Sequence, residues 1–167
     1  MGAGKTSVGK VLAQRLGWKF HDLDDLIESR EQRSIANIFN DLGENGFRKI
    51  ETAALMELLE QSRTDPNTIV ALGGGAFIQP QNRDLLRQAG AVTVLLTAPL
   101  EELQRRCRGA TNVRPLARDK NKFEQLFASR TSTYSLAQFK VETAGKQIDQ
   151  VAKEIEKLLK KQLAIDK

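Results

Sequence analysis

The sequence predicts an α/β fold, a three-layer α/β/α sandwich with a mostly parallel central sheet. Residues 68–72 and 91–96 form two near-continuous apolar runs rich in β-branched side chains, a pattern typical of strands covered on both faces. Segments with apolar residues at helical spacing lie before, between and after these runs. Strands that alternate with helices in this way form parallel sheets with helices on both sides.

In the N-terminal half, apolar spacing and capping residues set the element boundaries. Ser34 is placed to cap a helix, and Gly43 is placed to stop it. The predicted elements of this half are a helix from within the first ten residues to Gly17, a strand over 18–23, a short helix after Asp24, a helix from Ser34 to Gly43, a helix from Phe47 to Leu59 and a strand over 68–72.

The C-terminal half continues the alternation. Its predicted elements are a helix over 82–88 closed by Gly90, a strand over 91–96, a helix from Pro99 to about Cys107, a helix restarting at Phe123, a strand over 139–143 and an amphipathic helix from Ile148 to Leu159. Ligands of parallel α/β sheets bind beyond the carboxyl ends of the strands. The glycine-rich and charged segments fall at those ends, so we expect the site there.

The composition limits the classes of protein to which the chain can belong. A chain of 167 residues with 40% hydrophobic and 28% charged residues fits one globular domain, which we expect to span 1–167. The net charge of +5 favours anionic partners. One cysteine and one histidine exclude an internal disulfide and a His/Cys zinc site. No apolar run approaches the roughly 18 residues of a membrane span, and we expect a cytoplasmic protein.

A glycine-rich segment leads into the first helix. Gly2-Ala3-Gly4-Lys5-Thr6 matches the second half of the phosphate-loop pattern G-x-x-x-x-G-K-[ST]. Its glycines let backbone N–H groups turn toward a phosphate, Lys5 reaches the β/γ oxygens, and the Thr6 hydroxyl ligates Mg²⁺. The alternative is a chance G-K-T at a frayed start, because the first glycine of the pattern and the strand before it are absent.

Two carboxylates, Asp22 and Asp24, flank Leu23 at the end of the first predicted strand. Because side chains alternate along a strand, we expect both on the same side. One carboxylate could hold a Mg²⁺-bound water and the other a substrate hydroxyl. The alternative is that Asp24 or Asp25 only caps the following helix. His21 is expected to be an exposed strand residue rather than a ligand.

Three consecutive glycines, Gly73 to Gly75, follow a predicted buried strand. They leave bare backbone N–H groups against which a ligand can pack, although a flexible turn remains an alternative. Arg48 and Arg130 lie on predicted helices, where a single arginine is usually a solvated residue.

Basic residues concentrate around residues 108–120, a segment that also carries a glycine and a proline. The arginines in and beside it are Arg105, Arg106, Arg108, Arg114 and Arg118. With a phosphate loop present, the segment is expected to be a lid over a nucleotide. A solvated surface or an RNA-binding patch is the alternative.

In this order and spacing, the motifs resemble shikimate kinase over nearly the whole chain. The segments that carry the resemblance are Gly2-Ala3-Gly4-Lys5-Thr6, Phe20-His21-Asp22-Leu23-Asp24, Ile38-Phe39 with Gly43-Glu44, Phe47-Arg48-Lys49-Ile50-Glu51, Ala71-Leu72-Gly73-Gly74-Gly75, Val113-Arg114-Pro115-Leu116, and Arg130 with Tyr134. The resemblance implies a P-loop fold of the nucleoside-monophosphate-kinase type with a mobile lid. It implies phosphorylation of shikimate by ATP to shikimate 3-phosphate, on the pathway to chorismate and the aromatic amino acids.

The resemblance also implies roles for single residues on the shikimate side. Asp24 binds the shikimate hydroxyls and serves as the base, and Arg48 and Arg130 hold the carboxylate. Gly73, Gly74 and Gly75 line the same pocket. Planar guanidinium groups suit a carboxylate, which agrees with this division.

On the nucleotide side, the resemblance implies Mg²⁺ as cofactor and ATP as co-substrate. Thr6 and, through water, Asp22 reach the metal, Lys5 and Arg114 act on the phosphates during catalysis, and Arg106 stacks on adenine. The ATP-binding residues are then Gly2, Ala3, Gly4, Lys5, Thr6, Ser7, Arg106 and Arg114.

Two other functions stay open on the sequence. One is a P-loop kinase for another small polyhydroxy acid such as gluconate, against which the glycine run with Arg48 and Arg130 argues. The other is a kinase-like domain without catalysis that binds a partner or RNA, against which the intact set of Lys5, Asp24, Arg48 and Arg130 argues. We expect a monomer whose partners are shikimate and ATP, with no nucleic acid and no membrane.

The incomplete phosphate loop predicts that the chain as written is a shortened form of the functional enzyme. In this fold the strand before the loop is central, with neighbours on both sides. We therefore expect a sheet of four strands, or a gap between strand 68–72 and strand 91–96. Restoring the upstream codons should raise both the melting temperature and the affinity for ATP.

Overall fold

The computed structural model describes residues 2–108 and 120–165. Its elements in chain order are α1 (Lys5–Leu16), β1 (Lys19–Asp22), α2 (Leu23–Glu31), α3 (Ile35–Thr64), β2 (Thr68–Ala71), a 3₁₀ turn (Ala76–Ile78), α4 (Pro80–Gln88), β3 (Val94–Thr97), α5 (Leu100–Arg108), α6 (Lys120–Tyr134), β4 (Phe139–Glu142) and α7 (Ile148–Ile165). The alternation of strands and helices confirms the predicted α/β class. Residues 109–119 of the predicted lid, with Arg114 and Arg118, lie outside the described residues.

The chain forms two compact units, which are treated separately below. The first unit comprises Met1–Leu12 with Val92–Lys167, and the second comprises Ala13–Ala91. The single domain expected over 1–167 stays a prediction. None of the helices within the described ranges is long and apolar enough to cross a bilayer.

In the second unit, β1 and β2 form a parallel pair in which Lys19 lies beside Thr68 and Asp22 beside Ala71. Because both strands run in the same direction, the residues that follow them emerge at one edge. Helices α2 and α3 connect the two strands and pack against each other. The fully buried side chains of this unit's core are Leu23, Ile27, Ile38, Phe47, Ala54, Leu55, Leu58, Ala76 and Leu86.

Strand β1 ends where α2 begins, at Asp22. Its carboxylate accepts a hydrogen bond from the Asp24 backbone N–H at 3.0 Å and so caps α2. Asp24 therefore lies in the first turn of the helix, which corrects two expectations. The cap is Asp22 rather than Asp24 or Asp25, and the two carboxylates are not alternating residues of one strand. A short acidic side chain at this point satisfies an open N–H of the helix, which favours the early helix start.

Helix α3 contains the break that the sequence predicts. Ser34 caps it by accepting a hydrogen bond from the Asn37 N–H at 3.3 Å, and Gly43 interrupts it with φ 66° and ψ −176°. The segment after Gly43 continues to Thr64, beyond the predicted end at Leu59. Its buried face anchors it on the core, so that the residues between Gly43 and Ala54 are held in place.

In the first unit, β3 and β4 form a second parallel pair, from Val94 beside Phe139 to Thr97 beside Glu142. Helix α5 contacts α6, and α7 contacts β4. The buried core residues of this unit are Ala3, Ala98, Leu103 and Phe123.

The four strands among the described residues form two separate pairs, and no ladder joins β2 to β3. Most residues of β2 and β3 are half-buried, whereas the sequence predicts burial on both faces. In the described part of the chain, each of these strands has a hydrogen-bonded neighbour on one side only, so its other edge is unpaired.

Candidate active site

The glycine-rich segment of the first unit has the conformation of an anion site. Gly2 and Gly4 have φ values of 69° and 83°, and α1 begins directly after them, with Val8 N–H donating to the Gly4 carbonyl at 2.9 Å. Left-handed residues beside a helix N-terminus turn backbone N–H groups toward a common concavity that favours anions. Lys5 and Thr6 are the first two residues of the helix.

Helix α5 holds this loop in place. A Cβ atom at Gly2 would lie 2.7 Å from the Leu103 carbonyl oxygen and 2.8 Å from Cys107 Sγ. Ala3 is buried in the same core. Gly2 is therefore required for close approach to α5, whatever occupies the loop.

In the second unit, the register of β1 and β2 brings Asp24 to Gly73. Each lies two residues after its strand, at the same edge of the pair. A Cβ at Gly73 would overlap the Asp24 Oδ1 atom and would lie 3.4 Å from Glu51 Oε1. The bare backbone at Gly73 thus leaves room for two carboxylates.

Arg48 is the cation beside these carboxylates. Its Nη1 donates to Glu51 Oε2 at 2.8 Å, and its Nη2 donates to Glu44 Oε1 at 3.1 Å. The Glu51 side chain is 1% exposed, whereas that of Glu44 is 67% exposed. Burial acts to lower the pKa of Arg48, but hydrogen bonds and charge from Glu51 and Glu44 outweigh it and raise that pKa above its ordinary value. The guanidinium is therefore charged at any working pH.

Arg48 has five N–H donors, and its hydrogen bonds with Glu51 and Glu44 use two of them. Its Nε is buried and has no hydrogen-bond partner among the described residues. A Cβ at Gly75 would overlap the guanidinium, and the Arg48 Cζ atom lies 5.2 Å from the Phe47 ring centroid and 6.0 Å from that of Phe39. The two rings stack at 4.4 Å. A buried N–H without an acceptor is costly, so this donor points to a bound acceptor.

Arg130, Arg106 and His21 lie on elements other than α3, which carries Arg48. Arg130 is half-buried on α6 of the first unit. Arg106 on α5 donates from Nη1 to Thr143 Oγ1 at 2.9 Å and from Nη2 to the Thr143 carbonyl at 3.2 Å, and it also pairs with Glu102. His21 is half-buried in β1 rather than exposed. The roles assigned to Arg130, Arg106 and Arg114 stay predictions.

The sequence reasoning missed Glu51 and Glu44 as site residues, although both stand in the motifs quoted above. Glu51 lies three residues after Arg48 and Glu44 four residues before it, which places all three on one side of α3. The sequence did contain a signal for these residues. An acidic residue three or four positions from a candidate arginine on a helix indicates an ion pair with that arginine.

A family comparison decides between the kinases that this geometry allows. The family model described as "Shikimate kinase" matches residues 1–160. This chain belongs to the shikimate kinase family. It is 46% identical over 158 residues to the shikimate kinase of Geobacter sulfurreducens, covering 93% of this chain and 84% of that relative.

Solved shikimate kinases have the same fold. A shikimate kinase from Acinetobacter baumannii in complex with shikimate is 35% identical, with a TM-score of 0.86 over 97% of this chain and 89% of that one. A shikimate kinase from Bacteroides thetaiotaomicron is 30% identical, with a TM-score of 0.85 over 96% of this chain and 94% of that one. These likenesses confirm the P-loop α/β fold expected for the family.

Within this family member, the glycines of residues 73–75 lead to a first prediction. A methyl group at Gly75 must displace the Arg48 guanidinium, and one at Gly73 must displace the Asp24 carboxylate, because those side-chain ends occupy the space. We expect Gly75→Ala to raise KM for shikimate and Gly73→Ala to lower kcat. Each effect should be about tenfold or more, since a misplacement of 1 Å costs about a hundredfold.

Steady-state kinetics with both substrates measures these effects. Gly90→Ala is the control for a loss of stability alone, because the φ of 65° there strains any side chain while a Cβ meets no atom within 4 Å. It should lower the melting temperature without changing kcat or KM. Equal changes of both parameters in the two glycine variants would contradict the separate roles of Arg48 and Asp24.

Proposed function

We propose that this chain transfers the γ-phosphoryl group of ATP to the 3-hydroxyl of shikimate, giving shikimate 3-phosphate and ADP in the cytoplasm. The observation that carries the proposal is the half-buried Arg48, whose Nε–H has no hydrogen-bond partner among the described residues, set between Gly75 and the carboxylates of Glu51 and Glu44. A guanidinium in this position can bind the carboxylate of a phosphoryl acceptor. Membership of the shikimate kinase family names that acceptor.

On the acceptor side, Arg48 binds the carboxylate and Arg130 supplies a second guanidinium. Asp24 orients the 3-hydroxyl and accepts its proton at a carboxylate oxygen as the bond to phosphorus forms. Gly73 keeps the space around Asp24 open. Gly74, between the two close-contact glycines, offers its backbone to the same pocket.

On the nucleotide side, the loop from Gly2 to Ser7 binds the ATP phosphates. Lys5 and Arg114 stabilise negative charge on the transferring group, which is the largest task in phosphoryl transfer. Arg106 covers the adenine.

The residues present fit a Mg²⁺ ion by their chemistry. Thr6 offers a hydroxyl and Asp22 a carboxylate, the hard oxygen donors that this ion prefers, while most of its ligands come from phosphates and water. The described residues contain no cluster of three or more His, Cys, Asp or Glu side chains that could hold a metal alone. When bound, Mg²⁺ neutralises charge on the β- and γ-phosphates.

A substrate panel tests the proposal. We expect ATP-dependent release of ADP with shikimate, and almost none with gluconate or with shikimate methyl ester, which keeps every hydroxyl but loses the charge. Gluconate as the better substrate would identify the related sugar-acid kinase. Titration with a polynucleotide tests the alternative that the chain is an RNA-binding domain. Tight binding of the polynucleotide by a chain without kinase activity would overturn the proposal.

Glu44 yields a further prediction. Its carboxylate accepts a hydrogen bond from Arg48 Nη2, so we expect it to compete with the carboxylate of the substrate. We expect Glu44→Gln to lower the Kd for shikimate by up to about fivefold, because an exposed ion pair contributes about 0.2 to 1 kcal/mol. Isothermal titration calorimetry measures this change.

The matched control is Glu57→Gln, which removes a comparable exposed partner from Arg30. It should leave the Kd unchanged. A weaker affinity in Glu44→Gln would mean that Glu44 orients Arg48 rather than competing with the substrate.

A further inference from the structure

Asn82, at the start of α4, is a completely buried polar residue that the mechanism above does not use. Its Oδ1 accepts a hydrogen bond from the Thr52 hydroxyl at 2.8 Å, and its Nδ2 donates to the Ala76 carbonyl at 3.0 Å. The carbonyl of Ala76 can only accept, which fixes the orientation of the amide. Asn82 therefore joins α3 to the 3₁₀ turn after the glycines.

Arg83, the next residue, extends the same connection. Its Nη1 donates to the carbonyls of Phe77 at 2.9 Å and Ile78 at 2.7 Å. Three successive carbonyls of the turn thus accept hydrogen bonds from two side chains of α4. Three side-chain hydrogen bonds from α4 therefore hold this one short turn.

The 3₁₀ turn is also hydrogen-bonded to the glycine segment. Ala76 N–H donates to the Gly73 carbonyl at 3.2 Å, and Ile78 N–H donates to the Gly75 carbonyl at 3.0 Å. Gly73 and Gly75 are the residues whose backbone touches Asp24 and Arg48. Whatever holds the turn also sets how closely the glycines approach those two side chains.

The other end of the connection lies beside the site on α3. Thr52 follows Glu51 directly and lies one helical turn after Arg48. The Thr52–Asn82 hydrogen bond therefore fixes the glycine segment against the part of α3 that carries the substrate cation. A shift of the turn along α3 would change the Gly75–Arg48 and Gly73–Asp24 contacts together.

We infer that Thr52 and Asn82 are positioning residues for the recognition of the shikimate carboxylate and hydroxyl. They act through the glycine segment and do not touch the substrate. The inference rests on the proposed function and deepens it.

The test compares Thr52→Val with Thr52→Ser. Valine keeps the shape of threonine but removes the donor to Asn82, whereas serine keeps the hydroxyl. We expect Thr52→Val to raise the KM and the calorimetric Kd for shikimate about three- to tenfold, as a misplacement well below 1 Å would. The KM for ATP should not change, and Thr52→Ser should restore the wild-type values.

Two controls separate positioning from a general loss of stability. Ser62→Ala removes a hydroxyl hydrogen bond farther along α3, and Leu58→Val loosens the core beneath the same helix. Both should lower the melting temperature without changing either KM. Asn82→Ala should act in the same direction as Thr52→Val if it folds.

The outcomes are distinct. An unchanged KM for shikimate in Thr52→Val, or a parallel rise of the KM values for shikimate and for ATP, would overturn the positioning role while leaving the proposed function intact. A wild-type chain that neither binds nor phosphorylates shikimate would remove the proposed function, and the inference with it.

Discussion

Replacing Arg48 with leucine removes most of the affinity for shikimate while the affinity for ATP persists. The carboxylate then loses a charged partner at a half-buried position, and a hydrogen bond to a charged group is worth about 1.5 to 3 kcal/mol, or about 10- to 150-fold in Kd. Arg130→Leu should act in the same direction, since the second guanidinium is assigned to the same carboxylate. Calorimetric titrations with shikimate and with ATP measure the two affinities separately.

The Arg48→Leu variant needs a second substitution that keeps the protein folded. Without Arg48, the Glu51 carboxylate at 1% exposure loses its ion-pair partner at 2.8 Å, and removing one member of a buried ion pair costs about 3 to 5 kcal/mol. The double variant Arg48→Leu with Glu51→Gln removes that charge and should lose shikimate affinity while remaining folded. Arg30→Leu, at an exposed ion pair with Glu57, is the matched control. An equal loss of ATP affinity in the double variant would contradict the assignment of Arg48.

Asp24→Asn is expected to lower kcat about 10²- to 10⁴-fold, the usual contribution of a general base. Asparagine has nearly the same shape as aspartate, so it fits the space beside Gly73 and keeps a hydrogen bond to the hydroxyl. The Kd for shikimate should therefore change little. Single-turnover kinetics at saturating ATP measures the chemical step directly.

Asp25→Asn is the control for this variant, because Asp25 is an exposed residue of the same helical turn. It should keep wild-type turnover. A reduction of less than tenfold in Asp24→Asn would show that Asp24 only orients the hydroxyl and that proton transfer does not limit the reaction.

Much of the fold was predictable because its signals are local. The Ser34 cap, the break at Gly43 and the strand that begins at Thr68 depend on a few neighbouring residues, and the structure confirms them. The strand predicted over 91–96 is wrong in its start, because β3 spans Val94–Thr97. The start of α2 was not predictable from alternation alone, since Asp22 could continue the strand or cap the helix. The hydrogen bond from the Asp24 N–H to the Asp22 carboxylate decides between them.

The candidate site was predictable in part. Arg48, Asp24 and the glycine run were singled out by motif, but the reason for the glycines became visible only through the register of β1 and β2 and the contacts of α3. Asn82 carried no signal in the sequence, because a buried asparagine is recognised by its partners and those lie 6 and 30 residues away in the chain.

The most direct test of the account is to identify the product that the purified chain makes from ATP and shikimate. Phosphorus NMR of the reaction mixture should show ADP and one new phosphate monoester, coupled to the proton at carbon 3 of shikimate. The same mixture with Asp24→Asn should remain almost unreacted. An ester at another hydroxyl, or ADP formed with inorganic phosphate and no ester, would contradict the placement of the shikimate hydroxyl at Asp24.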